Sequence, residues 1–344
     1  MKDKPASPVE TLDRIDRLIL DRIQKAFPVE SRPYEILGDE IGIDEDEVLR
    51  RLGSLKRCGI VRQISAIFHT TALGYSTSLV AMAVPEKYIE AAVREINAYP
   101  GVSHNYLRPG LYNIWFTIAV PPGEDLPSVV SEIAEKAGGW PYLILPALKK
   151  YKLAVILDVL EEGDAPVSDT VGRSFQPGHR KCSFPRTDQN IRIVRAVQED
   201  LPEVKRPFME TAERLDMTEQ ELLAILREWL EKSWIRRYAA VLNHRRAGFE
   251  ANGMVVWSCP EGEIDRVGRI LATFPEVSHC YHRPAHPPEW PYNIYAMIHG
   301  RTEEECRRLA ERLSKSVGLF DYDVLFSEKE FKKIRLKLFW DYEV

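Results

Sequence analysis

With 344 residues, 44% of them hydrophobic, the chain is long enough for two or more domains with cores of their own. A net charge of −5 with the signs intermixed offers no basic field to gather nucleic acid, and no apolar run is long enough to mark a membrane span. The five cysteines (Cys58, Cys182, Cys259, Cys280, Cys306) include no Cys-x-x-Cys pair, which argues against zinc, iron–sulfur and disulfide frameworks; with no apolar signal core at the N-terminus, the reading is a soluble cytoplasmic protein with free thiols.

A Pro-rich tail (1–11) comes first. Leu12, Ile15, Leu18, Ile19 and Ile23 then recur at helical spacing, and Pro28 marks the end of that helix. A short helix is expected around Tyr34–Ile41. After the Gly42-Ile-Asp44 turn, Asp44 caps a helix carrying Val48, Leu49, Leu52 and Leu55, which Gly59 stops. Residues 60–68 read as a β-ribbon, so 12–70 form a winged helix-turn-helix. From Tyr75 onward the pattern is a strand (Ser78–Val84), a helix with Ile89, Val93 and Ile96, a strand before the apolar run Tyr112–Val120, a helix over Leu126–Ala137, and a last strand or pair in Pro141–Leu157. That order, βαββαβ over 71–160, predicts a ferredoxin-like antiparallel sheet with both helices on one face.

Residues 161–186 lack periodicity and read as a linker. The programme then restarts. Ile191, Ile193, Val194 and Val197 sit on a first helix, Arg206-Pro-Phe208 echoes Arg32-Pro-Tyr34, and Thr218 and Glu221 have the spacing of a capping box. Residues 234–241 are the second ribbon. The expected fold is therefore α+β, a tandem duplication of one two-domain unit, with a second winged helix over 187–244 and a second ferredoxin-like domain over 245–344.

One phrase is said twice: Pro100-Gly-Val-Ser-His104-Asn-Tyr106-Leu-Arg108-Pro109 before Tyr112-Asn-Ile, and Pro275-Glu-Val-Ser-His279-Cys-Tyr281-His-Arg283-Pro284 before Tyr292-Asn-Ile. At strand spacing His, Tyr and Arg share one face. Arginine binds carboxylates bidentately, histidine exchanges a proton near neutrality or ligates a metal, and tyrosine donates a hydrogen bond; the mixture suits an anionic organic ligand that gains or loses a proton. Only the second copy follows its triplet with a Pro-stiffened insert bearing His286 and Trp290, a candidate pocket wall. His69 and His244 occupy equivalent places where each ribbon leaves its winged helix, and a ligand between the domains could meet them. His282 and His299, unmatched in the first copy, read as surface or strand residues.

The helix-turn-helix raises a rival reading, a DNA-binding regulator. Its recognition turns are Asp44-Glu-Asp-Glu47 and the segment with Glu219 and Glu221. Carboxylates there would be repelled by phosphates, whereas capping and the helix dipole account for them, so no DNA partner is expected.

A winged helix followed by a ferredoxin-like domain resembles the leucine-responsive/asparagine regulators. Within that architecture the chain is more similar to the sirohaem (siroheme) decarboxylases. The match rests on Gly101–Pro109 with Tyr112-Asn-Ile-Trp-Phe-Thr117, on Val277–Pro284 with Trp290–Gly300, and on Arg206-Pro-Phe208 and Gly59–Ile64. Many members are two separate chains, and this one resembles both fused in series, which implies an internal pseudo-heterodimer and allows a further homodimer. The resemblance implies removal of carboxyl groups from the C12 and C18 acetates of sirohaem, serving haem or nitrite-reductase haem synthesis. Arg283 and Arg108 would hold carboxylates, His279 or His104 would donate the proton, and Tyr281 or Tyr106 would assist, with His244, His286 and Trp290 as further substrate contacts. The macrocycle is its own electron sink, so no cofactor is required. The protein alone offers no metal site, although His279 or His104 could instead ligate the sirohaem iron. The second copy is favoured as the main site. A tetrapyrrole sensor without turnover is the remaining alternative.

Overall fold

The structure, a computed structural model, describes residues 12–153, 183–242 and 251–342. The first half runs α1 (Arg14–Lys25), α2 (Pro33–Ile41), α3 (Glu45–Arg57), β1 (Val61–Phe68), β2 (Ser76–Met82), α4 (Ile89–Ala98), β3 (Val102–Leu107), β4 (Ile114–Val120), α5 (Leu126–Lys136), β5 (Tyr142–Pro146) and β6 (Lys149–Leu153). The second runs α6 (Asp188–Val197), α7 (Pro207–Glu213), α8 (Glu219–Glu231), β7 (Ile235–Leu242), β8 (Ala251–Trp257), α9 (Ile264–Thr273), β9 (Val277–His282), β10 (Ile294–Gly300), α10 (Glu303–Val317), β11 (Tyr322–Phe326) and β12 (Lys329–Lys333). The duplicated α+β order expected from the sequence is present. His244, the tail and most of the linker lie outside the described residues.

These elements form two units. The first gathers both winged helices (12–74 and 183–242) with residues 338–342. Local chemistry sets its helices. Gly42 ends α2 in the left-handed region (φ 86), Asp44 caps α3 by accepting from the Glu47 amide at 2.8 Å, and Thr218 and Glu221 close a full capping box on α8. The ribbons differ from expectation. Each copy supplies one strand, and β1 pairs antiparallel with β7 of the other copy, Ile64 opposite Ala240 and Ala66 opposite Tyr238. A lone strand leaves a row of unpaired amides and carbonyls, and the duplicate satisfies it. The halves are joined further by Phe27 N to Tyr238 O (2.7 Å), Tyr34 OH to Pro202 O (3.1 Å) and Ile64 N to Asp200 Oδ1 (2.8 Å). The chain end departs from the expected 245–344 domain as well. Leu338 exchanges two hydrogen bonds with the Gln198 side chain, and Leu338 and Phe339 are buried in the winged-helix unit.

The second unit (75–153 and 251–337) holds two five-stranded antiparallel sheets. In the first, β5-β2-β4-β3 is the ferredoxin-like order, and the fifth strand, beside β3, is β12 from the other half. In the second, β11-β8-β10-β9 repeats that order, and β6 from the first half lies beside β9. Each sheet has a helix-side core, built on Val80, Phe116 and Ile133 in one and on Val255, Val267 and Leu313 in the other. The opposite faces share a third core of Trp115, Leu145, Met254, Val256, Trp290, Tyr295 and Leu325. The two halves thus pair as an internal pseudo-dimer.

The donated strand β6 is seated by size. Tyr151 lies against the backbone of α9, where a Cβ on Gly268 would fall 2.3 Å from its ring, and its hydroxyl donates to Asp265 Oδ1 at 2.6 Å beside Lys149. Gly268→Val should therefore expel Tyr151 and cost roughly 1–3 kcal/mol, the usual range for overpacking. Denaturant titration reads the loss, and hydrogen exchange should show faster amides in residues 149–153; unchanged protection there would contradict it.

Candidate active site

Both triplets stand where their strands predict. His104 and Tyr106 lie on β3, His279 and Tyr281 on β9, each pair two residues apart and on the face turned toward the other sheet. The ring centroids are 6.2 Å apart in the first pair and 6.1 Å in the second. Arg108 and Arg283 follow at the strand ends, their guanidinium carbons 5.6 and 4.8 Å from the Tyr106 and Tyr281 ring centres.

A bulge prepares each histidine. Ser103 and Ser278 are the extra residues where β3 and β9 slip register against β4 and β10, and each hydroxyl lies 2.9 Å from Nδ1 of the next histidine. Beyond the serines the copies diverge. Ser103 Oγ meets Thr117 Oγ1 at 2.9 Å. Ser278 Oγ meets His299 Nε2 at 2.7 Å, and His299 Nδ1 meets Asn252 Oδ1 at 2.5 Å. Burial, and after it the charge of Lys333, hold the His299 pKa below its usual value.

The arginines differ from expectation. Neither is an open clamp. Arg108 is 5% exposed, and its Nη1 donates to Leu325 O of the other half's β11; Arg283 Nη1 donates to Leu145 O of β5. Both staple one sheet to the other. Their Nε atoms are buried without a partner, and no carboxylate pairs with either among the described residues. Burial of the unneutralised cation lowers the Arg108 pKa to about 10 and moves that of Arg283 the same way.

The insert also corrects the sequence reading. His286 and Trp290 close it by reciprocal backbone hydrogen bonds (2.7 and 2.8 Å). Trp290 is core rather than pocket wall. It is 8% exposed, packs on Trp115 (5.2 Å between centroids) and Tyr292 (5.0 Å), and donates from Nε1 to Tyr295 OH at 2.6 Å. His286 is half-buried, with Nε2 lacking a hydrogen-bond partner. His69 lies in the winged-helix unit, its amide donating to Trp234 O at 2.9 Å. His282 is on β9, and burial lowers its pKa.

Sequence reasoning missed what the exchanged strands bring. Antiparallel partners share a face, so Glu330 and Lys333 of β12 flank Tyr106 and His104, and Lys150 and Leu153 of β6 flank Tyr281 and His279. The signal was the echo of Lys149–Leu153 in Lys329–Lys333; the repeated serines of Val-Ser-His were a second. The repeated Tyr-Asn-Ile conceals another pair of staples. Asn113 bonds both backbone groups of Val84, and Asn293 both of Cys259, tying the ends of β2 and β8 to β4 and β10. No group of three or more metal-binding side chains converges among the described residues. The surface cleft of ~390 Å³ between α10 and β11, lined by Glu304, Arg307, Arg308 and Glu311, contains no triplet residue.

These features define a duplicated helix-turn-helix protein with a ligand-binding sheet domain in each half. Two family models agree: an AsnC-like ligand binding domain matches residues 72–152 and 246–332, and a siroheme decarboxylase NirDL-like HTH domain matches 16–62 and 190–236. The chain is 42% identical over 322 residues to a siroheme decarboxylase of Hydrogenobacter thermophilus, covering 93% of this chain and 94% of that protein. A siroheme decarboxylase beta subunit of Methanosarcina barkeri is 42% identical over 149 residues, covering 43% of this chain and 97% of the subunit. The crystal structure of the siroheme decarboxylase NirDL in co-complex with an iron-uroporphyrin III analogue superposes with a TM-score of 0.73 at 38% identity, covering 94% of each chain. The chain belongs to the siroheme decarboxylase family.

Proposed function

We propose that the protein is a cytoplasmic sirohaem decarboxylase, a carboxy-lyase that converts the C12 and C18 acetates of sirohaem to methyls and yields 12,18-didecarboxysirohaem. One observation carries the reading: each His–Tyr row ends in a buried guanidinium that no described carboxylate neutralises. Such a surface favours an anion, and sirohaem is rimmed with carboxylates. The free thiols Cys58, Cys259, Cys280 and Cys306 fit a reducing compartment.

In the reaction the bond between the acetate methylene and its carboxylate breaks and carbon dioxide leaves. The electron pair stays on the methylene and spreads into the macrocycle. A ring N–H of His279 in the second half, or of His104 in the first, delivers the proton that completes the methyl. Tyr281 and Tyr106 donate hydrogen bonds beside them. Arg283 and Arg108 act mainly as fixed positive charge, since each already spends one donor on a backbone carbonyl. Lys150, Lys333 and His286 add donors, while Trp290 supports the site from the core. The substrate supplies the electron sink, so no organic cofactor takes part.

Charges on the helix-turn-helix units are already committed to one another, which disfavours a DNA partner. Glu45 pairs with Arg32 at 2.6 Å, Glu219 with Arg206 and Ser31, and Arg51 with Asp13, Asp16 and Glu47. Anaerobic incubation with sirohaem, followed by mass spectrometry, should show loss of two carbon dioxide molecules per macrocycle. Bound but unchanged sirohaem would instead make the protein a carrier or sensor.

A further inference from the structure

We propose that Asn252, His299 and Ser278 form a directed hydrogen-bond chain that fixes the orientation and tautomer of His279, and that this chain makes the second half the faster proton donor. The inference rests on the decarboxylase reading and deepens it: these are positioning residues, which act through His279 rather than on substrate.

The direction of the chain follows from its far end. Asn252 Oδ1 is an acceptor, so His299 Nδ1 carries the hydrogen of that 2.5 Å contact. Burial and Lys333 disfavour a second proton on His299, and the neutral ring with its hydrogen on Nδ1 presents Nε2 as an acceptor. The Ser278 hydroxyl then donates to His299 Nε2 at 2.7 Å, in preference to the longer contact with Met297 O at 3.3 Å. With its hydrogen spent, Ser278 Oγ can only accept from His279, and the proton on that side of the ring sits on Nδ1 at 2.9 Å. The transferable proton is therefore the one on Nε2 of the doubly protonated ring, and its transfer leaves the neutral Nδ1–H tautomer that the chain holds. Uptake of a proton from solvent at Nε2 restores the acid for the next turnover without the ring having to turn.

The first half has the same serine and histidine but not the chain. At the positions of Asn252 and His299 it has Thr77 and Ala119, which face each other across β2 and β4. Among the described residues the Ser103 hydroxyl meets His104 and another hydroxyl, Thr117, which itself lies 3.5 Å from His104 Nδ1. Two hydroxyls can each donate or accept, so nothing directs Ser103 to leave Nδ1 of His104 protonated. The duplication thus carries one oriented and one unoriented histidine.

Four variants of the full chain test this with sirohaem as the probe. His299→Leu removes the acceptor and should lower kcat about 10–100-fold, the usual cost of losing a partner that orients a functional histidine, with KM within about 2-fold of wild type. His299→Gln puts an amide oxygen near the Nε2 position and should recover most of that loss. Ser278→Ala should resemble His299→Leu, whereas Ser103→Ala should lower kcat less than about 3-fold. A readout independent of turnover is the ring ¹⁵N signal of neutral His279, observed above the pH at which the ring loses its second proton and expected as the Nδ1–H tautomer in the wild type and as a mixture in His299→Leu. Wild-type kcat in His299→Leu, equal losses from the Leu and Gln substitutions, or an unchanged ¹⁵N pattern would each overturn the proposal. A wild-type protein that binds sirohaem without changing its mass overturns the decarboxylase reading itself, even if the tautomer signal behaves as expected.

Discussion

Replacing His279 by alanine should lower sirohaem turnover about 10²–10⁴-fold, the range expected when a positioned general acid is lost. That corresponds to about 3–5 kcal/mol of transition-state stabilisation. Uptake of the tetrapyrrole should persist, because the charges that attract it lie elsewhere, on Arg283, Arg108 and the lysines of the exchanged strands. His104→Ala should cost less, since its ring is not held by a directed chain, and product should then form at a reduced rate. The absorption band of bound sirohaem distinguishes the roles open to His279. An acid leaves the iron untouched, so the band should match that of the wild type in His279→Ala. An axial ligand would shift it, and turnover near the wild-type rate would remove His279 from the chemistry altogether.

Trp290→Ala should be the most damaging change to stability, at about 3–5 kcal/mol, the usual cost of emptying a buried aromatic site. The indole fills the core between the sheets against Trp115, and its N–H is the donor to the buried Tyr295 hydroxyl. Tyr295 in turn lies under Arg283, 5.5 Å from its guanidinium carbon, so the cavity would loosen the cation nearest the His279 row. Activity should fall together with stability. Trp290→Phe keeps most of the volume and loses the N–H, for about 1 kcal/mol. Thermal and denaturant melts compare the two variants; near-equal losses would show that the hydrogen bond, rather than the packing, sets the scale.

The duplicated fold was legible because its signals are local. Capping residues such as Asp44 and Thr218, the left-handed Gly42, and the apolar run of residues 112–120 fix each element without reference to distant chain. The His–Tyr row was legible for the same reason, since two residues on one strand share a face whatever lies around them. What escaped depends on pairing between segments far apart in sequence. Nothing within 60–68 says that the ribbon's partner is β7, and nothing in 149–153 says that Tyr151 seats on Gly268. Arg108 and Arg283 were read only as holders of substrate carboxylates because the carbonyls that engage them, Leu325 and Leu145, belong to the opposite half. Trp290 was read as a pocket wall because an insert next to a motif looks like a loop, whereas its side chain turns back into the core. His299 looked unremarkable because its meaning lies in Ser278 and Asn252, which no spacing rule connects to it.

The exchange of edge strands also bears on how the chain is made. As it leaves the ribosome from the N-terminus, β2 to β5 can form a sheet early, but the strand that covers β3 is residues 329–333, which emerges only after β11 of the second half. Until then the nascent first sheet displays an open edge at the strand that carries His104 and Tyr106, the kind of edge that recruits strands from neighbouring chains. Folding of the first half therefore finishes only when the second half arrives. Joining the halves in one polypeptide supplies that strand at a high effective concentration as soon as it has emerged.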